Sequence, residues 1–317
     1  MKGLTDITGV KVGHHSDFDA LTGCTVVLCE RGAVAGCDIR GGASGTEEMD
    51  VMSPFHITTG VHAVVLAGGS AYGLEAASGV RRYLERKGVG FPTGGGVVPI
   101  VPAAILYDLG IGKPGVRPTR EMGEAAAAAA TDAAVTEGCV GAGTGATVGK
   151  MLGMKNAMKS GIGSWTVSLP GGVLVSALVA VNAVGDVVHP DTRKIIAGAR
   201  KTADSRDFLN SAEWMKARGA TGGLRRENTT LAVVATNGRL DKVQAAKVAQ
   251  MAHHGLVRAI SPVHTSMDGD LAIALSCGTL AASVDSLGVA AGEAVAIAIL
   301  RAVQAARTMG GIPGLAG

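Results

Sequence analysis

The chain has 317 residues and a net charge of +3, and is 47% hydrophobic but only 3% aromatic. That length carries a sizeable core without disulfide staples, and a core so poor in rings must be packed from Ala, Val, Leu and Ile around Gly, which suits layered sheets and helices. The Lys and Arg residues are scattered among acids and form no stripe with aromatic neighbours, which argues against nucleic acid as a partner.

Along the chain, the first residues, MKGLTDITGVKVG, contain no continuous apolar stretch, so no signal peptide is expected. Residues 25–29 and 63–66 read as buried strands and 71–86 as a helix, ending before Lys87 and Gly88. An Ala-rich helix is predicted over 119–135. Residues 174–181, 231–235 and 271–275 are further apolar, β-branched strands, with helices predicted at 240–258 and 281–308. The run 173–181 is too short to span a bilayer, so no membrane partner is expected. The alternation makes an α/β protein, taken as one domain over 1–317. Few charges on the last two helices suggest burial against a sheet or a neighbouring subunit, hence a homo-oligomer.

Five cysteines, Cys24, Cys29, Cys37, Cys139 and Cys277, form no CxxC pair, which favours a reduced, cytoplasmic setting. The histidine pairs His14–His15 and His253–His254 are adjacent and lack the spacing of a helical zinc site. No metal and no other cofactor is expected. Lys150 ends GAGTGATVGK, which lacks the Gly and Ser/Thr positions of a phosphate loop; the Gly run rather allows close backbone approach, with Lys150 either solvated or reaching a site. GGSAYG around Ser70 has Tyr72 where a nucleophile elbow needs Gly.

One stretch breaks the pattern. Residues 193–228 replace apolar alternation with basic, acidic and small residues and lead directly into the strand that begins at Thr229. Asn228 and Thr229 have an ordinary reading, a turn residue followed by a good strand former. They also have a chemical one: Thr229 attacks the carbonyl of Asn228, the chain shifts onto its oxygen as an ester, and water cuts it. The freed α-amine, with a pKa of roughly 7.7 to 8.0, then acts as general base for the hydroxyl of the same residue.

Such a site needs an oxyanion donor and groups that orient the amine. Asn182 is a polar amide in an apolar strand and suits the first role, or else completes a strand-end turn. In HTSMDGD, Asp268 and Asp270 stand two apart before a strand, so in extended backbone both carboxylates face one side; Asp268 equally suits a turn. The other oxygen ligands of an EF-hand loop are missing.

With RGGASGTEE (40–48), AGGSAYGLEAASGV (67–80), GAGTGATVGK (141–150), ENTTLAVVATN (227–237) and HTSMDGD (264–270) in order, the chain resembles the DmpA family of self-processing aminopeptidases. That family includes the β-peptidyl aminopeptidases and the nylon-oligomer hydrolase. The resemblance implies a four-layer αββα sandwich of the DmpA and ornithine acetyltransferase type, similar to the N-terminal-nucleophile hydrolases but differently connected. It implies cleavage into an α chain, 1–228, and a β chain, 229–317, with Thr229 as nucleophile, Asn182 as oxyanion amide, and Asp268 and Asp270 orienting the nucleophile and its amine. Lys150 and Tyr107 match residues lining the site in the nylon-oligomer branch.

Members acting on D-alanyl amides and β-peptides carry Ser as nucleophile and Ser in place of Asp268. Thr229 and Asp268 here resemble the nylon-oligomer branch instead. The expected activity is that of a broad aminopeptidase or amidase on small peptides, amides or esters, with aminohexanoate-oligomer hydrolysis as an alternative. Acyl transfer of the ornithine acetyltransferase type and non-catalytic ligand binding are readings of other classes. A homotetramer of αβ units is the expected assembly.

Overall fold

The computed structural model describes residues 1–218 and 228–317; residues 219–227, which include Glu227, lie outside the described residues. Nine strands form the main sheet system: β1 (Lys11–Asp17), β2 (Thr22–Ile39), β3 (Thr46–Glu47), β4 (Val61–Ala67), β5 (Ala103–Ile105), β6 (Ile162–Leu169), β7 (Val173–Asn182), β8 (Thr229–Gly238) and β9 (Leu271–Leu280). The helices used below are α1 (Glu75–Arg86), α2 (Arg120–Ala128), α3 (Ser211–Arg218), α4 (Lys242–Ala259) and α5 (Val284–Gln304).

The long strand β2 belongs to two sheets. Its first part pairs antiparallel with β1 and β4, and its last part, from Val34 to Ile39, pairs antiparallel with β9. A register break between Leu28 and Ala33 marks the crossing. One sheet therefore runs β1–β2–β4–β5–β3 and the other β6–β7–β8–β9–β2, with β4/β5 and β8/β9 as the parallel pairs.

The period-2 alternation of strand side chains sorts the core into three slabs. Val175, Ala177, Val179 and Val181 of β7 join Ala232, Val234, Ala272 and Ala274 against α4 and α5. The intervening Leu178 and Ala180 join Leu231, Val233, Leu271 and Ile273 and meet Val27, Val64, Leu66 and Ala104 of the other sheet. Cys24, Val26, Val65 and Ala67 pack outward on α1 and α2. The order is helices, sheet, sheet, helices: the four-layer αββα sandwich. Burial on both faces is why β7, β8 and β9 read as unbroken apolar runs.

Helix α4 starts on a reciprocal cap in which Asp241 and Gln244 satisfy each other's backbone N–H. Helix α5 is the one described helix long and apolar enough to cross a membrane, and most of its apolar stretch is buried inside the fold.

Two expectations are corrected. The helix predicted over 119–135 stops at Ala128, because Thr131 pairs instead with Val12 of β1. Residues 70–74 are a 3₁₀ turn ahead of α1. The segment after 193, whose composition breaks the apolar alternation, still carries regular structure, since Ile195–Ala197 is a strand and α3 is a helix.

Candidate active site

Strand β7 ends at Asn182 and β8 begins at Thr229, and these two residues are direct partners across the antiparallel pair. Directly opposed residues send their side chains to the same face, so the fold sets the amide beside the hydroxyl. Both are buried. One residue upstream, Asn228 forms a parallel bridge with Asp268, which carries the junction onto the loop before β9.

In the uncut chain the Asn228 carbonyl is held by two donors. The Thr229 hydroxyl donates to Asn228 O at 2.5 Å, and the backbone N–H of Gly269 donates to the same oxygen at 2.8 Å. The hydroxyl is thus adjacent to the carbonyl group it would attack, and a backbone N–H lies on the oxygen that would become negative. Gly269 fits because it has no side chain: a Cβ there would stand 2.8 Å from Thr229 Oγ1 and 2.7 Å from Ala43 O. The RGGASG stretch backs this loop, with Arg40 and Gly41 N–H donating to Asp270 O and Ala43 N–H to Asp268 O. A Cβ on Gly41 would meet Asp268 O at 2.3 Å, which accounts for glycine there. Gly269 was not singled out from sequence, since its contribution is a backbone group.

The two aspartates are both buried, but their carboxylates have different partners. Asp268 accepts from the Thr265 hydroxyl at 2.5 Å, from Thr265 N–H at 3.2 Å and from Val184 N–H at 3.4 Å, so it shapes the turn as well as flanking the junction. Asp270 accepts from Thr230 N–H at 2.6 Å, beside the nucleophile position, and from the backbone N–H and ring Nδ1 of His264 at 3.1 and 3.0 Å. The spacing of two thus places both at the junction, one on the turn and one on the first residues of β8.

Burial, and then the neighbouring charge of Asp270, pushes the Asp268 carboxyl up to about 6, against the lowering pull of Thr265 and Val184. A carboxyl raised in the fold binds more protons folded than unfolded between its ordinary value and about 6. Its contribution to stability is therefore largest at low pH, falls as pH rises through that window, and is constant above it. Denaturant unfolding of wild type and Asp268→Asn at pH 4 to 7 is expected to show wild type losing stability relative to the variant as pH rises. A pH-independent difference would refute the assignment.

Asn182 is fully buried, and its amide is saturated on the oxygen side: Oδ1 accepts from Thr147 N–H at 3.1 Å and from the Lys150 ammonium at 2.8 Å, which also reaches Asn182 O at 3.0 Å. Its Nδ2 donates to Tyr107 O at 2.8 Å; an amide nitrogen carries two hydrogens, and Tyr107 takes one. Lys150 thus reaches the site rather than the solvent. Tyr107, Thr147 and Lys150 line a small hollow of about 20 Å³ with Asp108, Gly145 and Met154.

The Gly-rich run that brings Lys150 here uses its own donors. Gly141 and Ala142 N–H donate to Ser16 and Thr25 hydroxyls, Thr147 N–H to Asn182, and Gly149 and Lys150 N–H to Gly185 O and Val184 O. Beneath it the buried Lys159 ammonium donates to Thr144 O and Ala146 O. N–H groups committed in this way do not cradle a phosphate, in keeping with the missing phosphate-loop positions. On the other side, Trp214 and Met215 of α3 pack with Met267, Met151 and Val184, so the last described helix before the junction rests on the loops that carry Lys150 and Asp268.

Among the described residues no group of three or more His, Cys, Asp or Glu side chains could hold a metal ion.

Residues 2–316 match the family described as Peptidase family S58. An uncharacterized aminopeptidase of Mycobacterium leprae is 39% identical over 99% of this chain and 93% of its own length. A 6-aminohexanoate-oligomer endohydrolase of Kocuria sp. is 30% identical over 94% of this chain and 85% of its own. Among solved structures, the L-aminopeptidase D-Ala-esterase/amidase of Ochrobactrum anthropi superposes with a TM-score of 0.72 at 18% identity, covering 98% of this chain and 88% of that one. A Burkholderia sp. β-aminopeptidase superposes with a TM-score of 0.70 at 24% identity, covering 99% and 90%. These last two carry the fold.

Proposed function

This chain belongs to peptidase family S58 and is a hydrolase of amide bonds, and from that premise we propose that it cuts itself between Asn228 and Thr229 and then uses Thr229 as its nucleophile. The observation that carries the reading is the Asn228 carbonyl, held between the Thr229 hydroxyl and the Gly269 N–H. Attack of Oγ1 on that carbon forms a C–O bond and breaks the bond from Asn228 C to Thr229 N, the hydroxyl proton passing to that nitrogen, which gives an ester; water opens it, leaving a carboxylate on Asn228 and the hydroxyl and an α-amine on Thr229. The α chain is then 1–228 and the β chain 229–317.

In the mature enzyme the amine takes the hydroxyl proton as Oγ1 attacks the substrate carbonyl and returns it to the leaving amine; water releases the acyl group in a second round. Asn182 donates to the developing oxyanion, with Lys150 fixing its oxygen and adding positive charge. Asp270 and Asp268 orient Thr229 and its amine from the β9 side. Tyr107 lines the substrate's approach.

The substrates proposed are small peptides, amides or esters from which an N-terminal residue is released. The similarity to a protein named 6-aminohexanoate-oligomer endohydrolase supports linear amide oligomers as a second substrate class. We further place the enzyme in the cytoplasm, where its five free thiols remain reduced, as a homotetramer of αβ units. The fully exposed Phe55 and mostly exposed Ile57 support self-association.

Incubation of the processed protein with amino-acid p-nitroanilides, β-peptides and aminohexanoate oligomers, with and without an added amine acceptor, tests this. Hydrolysis of at least one class, exceeding transfer, is the expected outcome. Transfer exceeding hydrolysis would move the enzyme to the acyltransferases, and inertness of folded, cleaved protein toward all three would contradict the reading.

A further inference from the structure

Behind Asp270 lies a chain of groups that the site as described does not use. His264 Nδ1 meets Asp270 Oδ2 at 3.0 Å, and its other nitrogen, Nε2, meets His253 Nδ1 at 3.2 Å. The rings stand edge to face with centroids 4.7 Å apart. His253 Nε2 in turn faces Asp38 O at 3.0 Å and Asp38 Oδ2 at 3.3 Å. Asp38 is paired with Arg40, whose charge also acts on His253, and Asp268 is the other charged group near Asp270. His253 comes from α4, Asp38 from β2 and Asp270 from the loop before β9, so three elements converge on the two rings.

We propose that His264 and His253 share one positive charge that holds the Asp270 carboxylate fixed on Thr230 N–H, which makes the two histidines positioning residues for the nucleophile. The inference rests on Thr229 being that nucleophile.

A count of protons carries it. The chain has three links, Asp270 to His264, His264 to His253, and His253 to Asp38, and both ends are acceptors. Each link needs one hydrogen. Two neutral imidazoles supply two, leaving one link as a contact between two lone pairs or two acceptors. One further proton fills all three, and the ring pair is then singly charged between carboxylates at either end. A second extra proton is opposed, because burial, helped by the charge of His264 and only partly offset by the hydrogen bond to Asp38, holds His253 below its ordinary value. The pair thus suits one charge.

The placement of His264 is specific to the role. Its backbone lies in the left-handed region at φ 56°, uncommon outside Gly and found mostly at Asn, Asp and His, and this aims both its N–H and its ring at one carboxylate oxygen. His264→Asn keeps an N–H donor near the Nδ1 position and tolerates that φ, but carries no charge; His264→Ala removes both. His253 lies eleven residues away on a helix, so the sequence gives no spacing that would join the two.

The first arm of the test does not depend on catalysis. Imidazole ¹⁵N spectra of the uncleaved Thr229→Ala chain at pH 7 are expected to show three of the pair's four ring nitrogens protonated; two neutral rings would overturn the proposal. The second arm is the pH profile of kcat/KM for the cleaved enzyme. His264→Ala is expected to lose activity about tenfold or more, and His264→Asn to recover part of it with a profile displaced by about one pH unit from wild type. Wild-type profiles in both variants would reduce the pair to packing and overturn the proposal. Failure of Thr229 as nucleophile is read separately, from an uncut wild-type chain.

Discussion

A Thr229→Ala chain is expected to stay whole and to lose amide hydrolysis by a factor of about 10³ to 10⁶, the range seen when a covalent nucleophile is removed. Both losses have one cause. The hydroxyl is the group on the scissile carbonyl, and without the cut no α-amine exists to act as base. The fold is expected to survive, because Gly269 N–H still bonds Asn228 O and the register of β8 on β7 and β9 is set by backbone. The net cost of one lost hydroxyl bond is about 1 kcal/mol. Thr229→Ser keeps the hydroxyl and is expected to cut and to hydrolyse. Intact mass and a p-nitroanilide assay on the two variants check this; an alanine variant that cuts itself would remove Thr229 from the mechanism.

Asn182→Ala is expected to damage both stability and activity. The amide is the common partner of Thr147 N–H, the Lys150 ammonium and Tyr107 O, all near the end of β7. Removing it takes one bond from each in a buried setting, at about 1 to 3 kcal/mol for a buried group left unsatisfied, and a total of roughly 3 kcal/mol is expected after relaxation. At about 2 to 4 °C per kcal/mol for a chain somewhat smaller than this one, Tm should fall by roughly 6 to 12 °C. Activity should fall by about 10² to 10³ through loss of the oxyanion donor. Asn182→Asp separates the two effects, since it retains an acceptor for Thr147 and Lys150 but no N–H₂. Calorimetry with steady-state kinetics reads both; an alanine variant with wild-type kcat would assign Asn182 to structure alone.

What could be read from the sequence follows from which faces are buried. Strands β7, β8 and β9 are covered on both sides and appear as apolar runs, whereas β1, KVGHHSD, and β6, IGSWTVSL, were missed. Each pairs on the outer side of a sheet and carries polar residues whose partners are distant: Thr25 for His14, and Leu4 N–H for Ser164. Helix α2 was drawn too long because nothing local in an Ala run records that Thr131 pairs with Val12.

The site shows the same division. Thr229 and Asn182 are legible as polar residues at the ends of apolar strands, and Asp268 and Asp270 as a spaced pair. Gly269 acts through a backbone N–H and His253 through a tertiary contact, so neither leaves a mark in spacing. Adjacent histidines, discounted for zinc, include one that lies on the network behind Asp270.

Whether the chain is cut before Thr229 is the point on which the account turns, and intact-mass analysis of the purified, folded full-length protein, with N-terminal sequencing of the smaller piece, addresses it most directly. Two species are predicted, 1–228 and 229–317, the second beginning Thr-Thr-Leu-Ala. A single 317-residue species in protein shown to be folded and active on amides would contradict it.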